Sequence, residues 1–192
     1  MEKLSERLSI FAAIFTTLSL GTSPHPFILV LCYIIHEVGH ITFAKIAGAK
    51  IKKLKIGSFH LSLSYDCSEL SYKREILVQL GGIIFNLISA GILSLFSDFG
   101  GGSVDFFIIC SLCLAIMNLY PASVLDGGGV LKSILLLKMD EDRAVRIFKS
   151  VSIVSIILMW MLSVYLQIIF CANLSLFVIS VVLLVELCFE SA

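Results

Sequence analysis

Residues 27–47 read FILVLCYIIHEVGHITFAKIA. Crossing the bilayer core as a helix takes about 20 apolar residues, and this run is long enough. His36, Glu37 and His40 stand in its middle. On a helix, positions i and i+4 share a face. Two imidazoles at that spacing can hold one Zn²⁺, with the carboxylate of Glu37 beside them as a base for water. A charged group at that depth costs on the order of 2.5–3.5 kcal/mol and usually marks function. The plain alternative is a pair of core histidines satisfied by neighbours. Packing alone gives no reason to gather two imidazoles and a carboxylate in lipid.

The rest of the chain agrees with a lipid solvent. Apolar residues make up 58% and charged residues 15% of the 192, against about 45–50% and about 25% in a soluble domain. The formal net charge is zero, which argues against nucleic acid as a partner. Cys32, Cys67, Cys110, Cys113, Cys171 and Cys188 mostly lie in or beside apolar runs and read as small buried hydrophobes. Cys110 and Cys113 form a C-x-x-C with no second pair to complete a metal site. Residues 1–192 read as a single integral-membrane domain, with a core over 27–137 and C-terminal spans over 151–190.

Six apolar runs are candidate spans: 8–20, 27–47, 76–96, 104–120, 151–170 and 174–187. With a cytoplasmic N-terminus, the outer connections are 21–26, 97–103 and 171–173, and none holds a Lys or Arg. All 14 basic residues fall on the other side, as the positive-inside rule requires. Both termini are therefore expected in the cytoplasm of a bacterial-type membrane. The run 8–20 also resembles a signal peptide, but no small-x-small cleavage site is evident before Pro24. Between the second and third spans, Phe59, Leu61, Leu63 and Tyr65 alternate with His60, Ser62 and Ser64. The basic alternating run Lys50–Lys55 precedes them across Gly57-Ser58. Period-2 alternation around such a break predicts a β-hairpin. The expected fold is an all-α polytopic membrane protein of about six transmembrane helices with a small membrane-associated β-hairpin.

A catalytic zinc wants a third protein ligand and one open position. Asp98 and Asp105 flank an outer connection. Asp126 lies in the stretch 118–128, NLYPASVLDGG, where Pro121 and the glycines interrupt the helix. Interrupted backbone at membrane depth is tolerated where it lines a cavity. His40 and Asp126 both lie toward the inner ends of their runs, so Asp126 can meet the zinc pair. As an Asp-Gly pair it also fits a plain turn or helix cap.

Taken together, His-Glu-Val-Gly-His at 36–40 and Asn-Leu-Tyr-Pro-(x3)-Leu-Asp-Gly-Gly from Asn118 closely resemble the site-2 protease family of intramembrane zinc metalloproteases. The small sporulation-factor-processing branch is nearest in layout. The resemblance implies that His36, His40 and Asp126 bind one zinc ion per chain and that Glu37 is the general base. The family's Gly-Pro-x-x-Asn appears here as Gly82-Ile83-Ile84-Phe85-Asn86, with Ile83 in place of the proline. Asn86 and Asn118 are implied as supporting or substrate-orienting groups. In the family the strand region is thought to pair with an unwound substrate, a β-augmentation. The implied substrate is a membrane protein or membrane-associated pro-protein, such as a pro-sigma or anti-sigma factor. A membrane inhibitor or a second copy of the chain is a further candidate partner. The competing readings are a membrane protein that binds a divalent metal without hydrolysis, and a zinc hydrolase of lipid-linked substrates. Neither a PDZ domain nor a nucleotide-sensing domain is expected.

Overall fold

The computed structural model describes residues 25–56, 61–66, 70–123, 125–170 and 180–181. The first helix, α1, is His25–Ala47. Cys32, His36, Gly39, His40, Ala44 and Ala47 recur at three- and four-residue spacing and are buried on one face. Val30, Leu31, Ile34 and Val38 are exposed on the other. A face of small and polar residues inside with large apolar residues outside is the pattern expected when the surrounding solvent is lipid. Gly48, with φ +78°, ends the helix. Its amide donates to the Lys45 carbonyl and the Ala49 amide donates to that of Ala44, a Schellman closure.

Strands β1 (Lys50–Ile56) and β2 (Leu61–Asp66) pair antiparallel, with Ile56 opposite Leu61 and Lys50 opposite Asp66. The register shifts between Ile51 and Lys53. Helix α2, Tyr72–Ser94, follows and runs unbroken through Ile83. The Arg74 guanidinium donates to the Ala47 carbonyl and ties the start of α2 to the end of α1. The two helices meet where Gly39 faces Gly81, too close for a Cβ on either residue. Ala44 and Ala47 pack on Val78 one turn away.

Helix α3, Ser97–Asn118, is kinked at Gly101, where φ is +61°. A loop then leads to α4, Asp126–Lys138, and α5, Glu141–Phe170. Glu141 and Asp142 lie in the first turn of α5, where carboxylates favour a helix N-terminus. Helix α2 is central and packs against α1, α3 and α4.

The expected fold is an all-α polytopic chain of about six transmembrane helices with a small β-hairpin, and its helix count is corrected. Among the described residues, four helices are long and apolar enough to cross a membrane: Phe27–Ala47, Tyr72–Ser94, Gly101–Asn118 and Glu141–Ile169. The run 8–20 and most of 174–187 lie outside the described residues. The 13 residues of α4 reach only about 20 Å at 1.5 Å each, too short to cross. The last of the four begins ten residues before the apolar run it contains, because its acidic first turn stabilises a helix that the hydropathy pattern does not register. Four such helices with apolar outer faces are the signature of an integral membrane protein.

Candidate metal centre

His36 and His40 are brought together by the helical period of α1 and buried by α2, at 3% and 7% exposure. Their Nε2 atoms are 3.1 Å apart. Asp126, the first residue of α4, sends Oδ2 to 3.0 Å from His36 Nε2 and 3.2 Å from His40 Nε2. The three atoms form a nearly equilateral triangle. Among the described residues this is the one group of three or more metal-ligating side chains close enough to share an ion.

The protonation of His40 is set by its other nitrogen. Nδ1 lies 2.8 Å from the Val78 carbonyl and must donate to it. A neutral ring then carries its lone pair on Nε2, aimed at Asp126. His36 Nδ1 lies 3.2 Å from the Asn86 side-chain nitrogen, while Asn86 Oδ1 is fully buried without a partner. Turning that amide lets the His36 Nδ1–H donate to Oδ1 and frees the second Nε2 lone pair. Two lone pairs and a carboxylate oxygen would then face one another at about 3 Å, which is repulsive without a cation between them. Asp126 Oδ2 is itself buried and its two short contacts lack hydrogen-bond geometry. Donors about 2.0–2.1 Å from a tetrahedral zinc stand roughly 3.3 Å from one another. The residues therefore fit zinc in donor type, number and spacing, with Val78 and Asn86 as the outer partners that metal-bound imidazoles require.

The other predicted residues are placed as follows. Glu37 adjoins His36 on α1, half-buried, and is not one of the three converging groups. Asn86 reaches the centre through His36. Asn118 donates its amide to the Leu114 carbonyl of its own helix and is not part of the cluster.

Two further contributors were not singled out as site residues from the sequence. The Val78 carbonyl is a backbone atom, which no residue type announces. Gly82 forms the wall behind the rings: a Cβ there would lie 2.6 Å from His36 Cε1 and 2.6 Å from His40 Nε2. Its place in the Gly-x-x-x-Asn pattern is the one signal that could have pointed to it. Gly127 and Gly128 also lack room for a side chain, because a Cβ on either would overlap the carbonyl of Leu119 or Ala122. The turn that presents Asp126 closes on itself only with glycine at both positions.

Residues 101–162 match the sequence model of peptidase family M50. That segment holds Asn118 and Asp126 but not His36–His40. A search of curated proteins finds no match. Among solved structures, the chain is similar to the site-2 protease from Methanocaldococcus jannaschii, with a TM-score of 0.67 and 21% identity over 98% of this chain and 88% of that one. At that identity the likeness speaks for the fold. The M50 match thus covers a third of the chain, and the likeness to the site-2 protease is one of fold.

Proposed function

We propose that this chain is a zinc endopeptidase that cuts membrane-associated proteins within the bilayer. One Zn²⁺ is held by His36, His40 and Asp126, and Glu37 is the general base. The observation that supports this most is the triangle of two imidazole nitrogens and one carboxylate oxygen with 3.0–3.2 Å edges, buried beside a half-buried Glu37. When bound, zinc supplies Lewis acidity and lowers the pKa of water toward about 7. Three protein ligands leave one position open for chemistry. Glu37 takes the proton of the attacking water and returns it to the departing amine. Val78 and Asn86 hold the two rings in the tautomer that keeps both Nε2 atoms free of protons. Asn118 is assigned to orienting the substrate where it approaches the broken segment.

The Lys and Arg distribution supports a centre toward the cytoplasmic side, with both termini on that side. The substrate class proposed is a membrane protein or membrane-tethered pro-protein, with pro-sigma and anti-sigma factors as the first to test. A membrane inhibitor or a second copy of the chain would regulate access.

The direct experiment is cleavage of a single-span peptide by the purified chain in liposomes, with a chelator and zinc re-addition as controls. Cleavage that chelation stops and zinc restores is the expected result. Intact peptide under all conditions, with or without zinc, would overturn the reading. Asp126→Asn keeps the size of the side chain and removes its charge. Zinc content of that variant should fall well below one per chain, whereas full occupancy would remove Asp126 from the ligand set.

A further inference from the structure

Asp126 opens α4, and the described residues that lead into it from α3 are not helical. Residues 119–125 lie between α3 and α4. Pro121 has no N–H to give. The Ala122 amide donates to the Tyr120 carbonyl and that of Leu125 to the Ala122 carbonyl. The Ser123 amide has an acceptor elsewhere: it donates to the Ser152 hydroxyl of α5 at 2.7 Å. Within a bilayer an unsatisfied amide costs several kcal/mol, and the backbone of an unbroken helix offers few free acceptors. A serine on the facing helix supplies one. Ser152 is fully buried at mid-helix, where no packing reason calls for a hydroxyl.

The same face of α5 catches the loop twice more. The Tyr120 hydroxyl donates to the Ser155 carbonyl at 2.7 Å. Ala122 packs, fully buried, on Ile156 and Met159. Tyr120, Ala122 and Ser123 thus dock on successive turns of α5, and Asp126 follows three residues later. Three residues span at most about 10 Å, so a displaced Ser123 carries Asp126 with it. Metal–ligand distances tolerate only about ±0.2 Å.

We propose that α5 is a clamp that positions the third metal ligand, with Ser152 and Tyr120 as its positioning residues. The inference rests on reading Asp126 as a zinc ligand. It gives α5, which supplies none of the three metal-binding groups, a role in assembling the centre.

The test compares Ser152→Ala and Tyr120→Phe with Ser163→Ala in the full chain in detergent. Ser163 is a buried serine of the same helix, bonded to the Trp160 carbonyl and Ser180 and away from the loop. Two readouts are needed: zinc affinity by competition with a chelator, and amide exchange over 119–126 in the metal-free protein. Ser152→Ala should weaken zinc by about tenfold, as lost outer partners do, and speed exchange in that segment. Tyr120→Phe should act in the same direction, and Ser163→Ala should change neither. Ser152→Thr, which keeps the hydroxyl, should restore slow exchange. Zinc affinity unchanged in both Ser152→Ala and Tyr120→Phe, or lowered equally by Ser163→Ala, overturns the clamp. Should the parent chain take up no zinc, the metal reading fails, while exchange in the metal-free protein still decides whether α5 holds the loop.

Discussion

Replacing Glu37 with glutamine is expected to leave zinc in place and to cut turnover by orders of magnitude. Glutamine has the shape of glutamate but cannot accept a proton at neutral pH. His36, His40 and Asp126 converge without Glu37, so the metal complement should stay at one per chain. A positioned general base contributes about 10²–10⁴-fold to rate, and turnover should fall by that amount. The check is metal analysis and peptide cleavage on one purified sample. Zinc lost together with activity would make Glu37 a ligand or a structural support. Zinc kept with near-normal turnover would end its role as base. Cells carrying this variant should accumulate an uncut membrane protein, which would identify the substrate.

Gly82→Ala is expected to be nearly as damaging, for the opposite reason. It adds one methyl group and removes nothing. In a helix interior alanine is favoured over glycine by about 1 kcal/mol, so α2 itself gains. The new Cβ, however, would sit 2.6 Å from an atom of each imidazole, far inside van der Waals contact. Neither ring can retreat easily. His40 is tied to the Val78 carbonyl at 2.8 Å, and the close Gly39–Gly81 approach fixes α1 against α2. Zinc affinity should drop by about 100-fold, the upper range for loss of a supporting partner, while helix content is unchanged. Chelator competition measures the first and circular dichroism the second. Zinc bound as tightly as in the parent would show that the two helices can part without cost.

Much of the site is legible in the amino-acid sequence. The i, i+4 imidazoles fix their own common face by helix geometry, and their burial in an apolar run marks them as functional. Asp126 is legible as a candidate because Pro121 and three successive glycines announce interrupted backbone. The span count is less legible. Hydropathy measures whether a segment tolerates lipid, and says little about where its helix starts; α5 begins at Glu141 in charged sequence. The place of Asn118 is also beyond reach, because an amide at a helix end can turn to its own backbone, as it does toward Leu114.

The feature that separates the two kinds of knowledge is range. The pair His36–His40 and the position of Glu37 beside it are set by five residues of one helix, so the sequence alone determined them. Asp126, the proposed third ligand, lies 86 residues beyond His40, and its distance from the rings depends on how α2 packs against α1 and α4 and how α5 grips the loop. Those contacts are made by Gly82, the Val78 carbonyl and Ser152: a missing side chain, a backbone atom and a small hydroxyl. None has a periodicity or composition that stands out in an apolar chain. Only the tertiary structure decided that they face the two imidazoles and the segment that leads into Asp126.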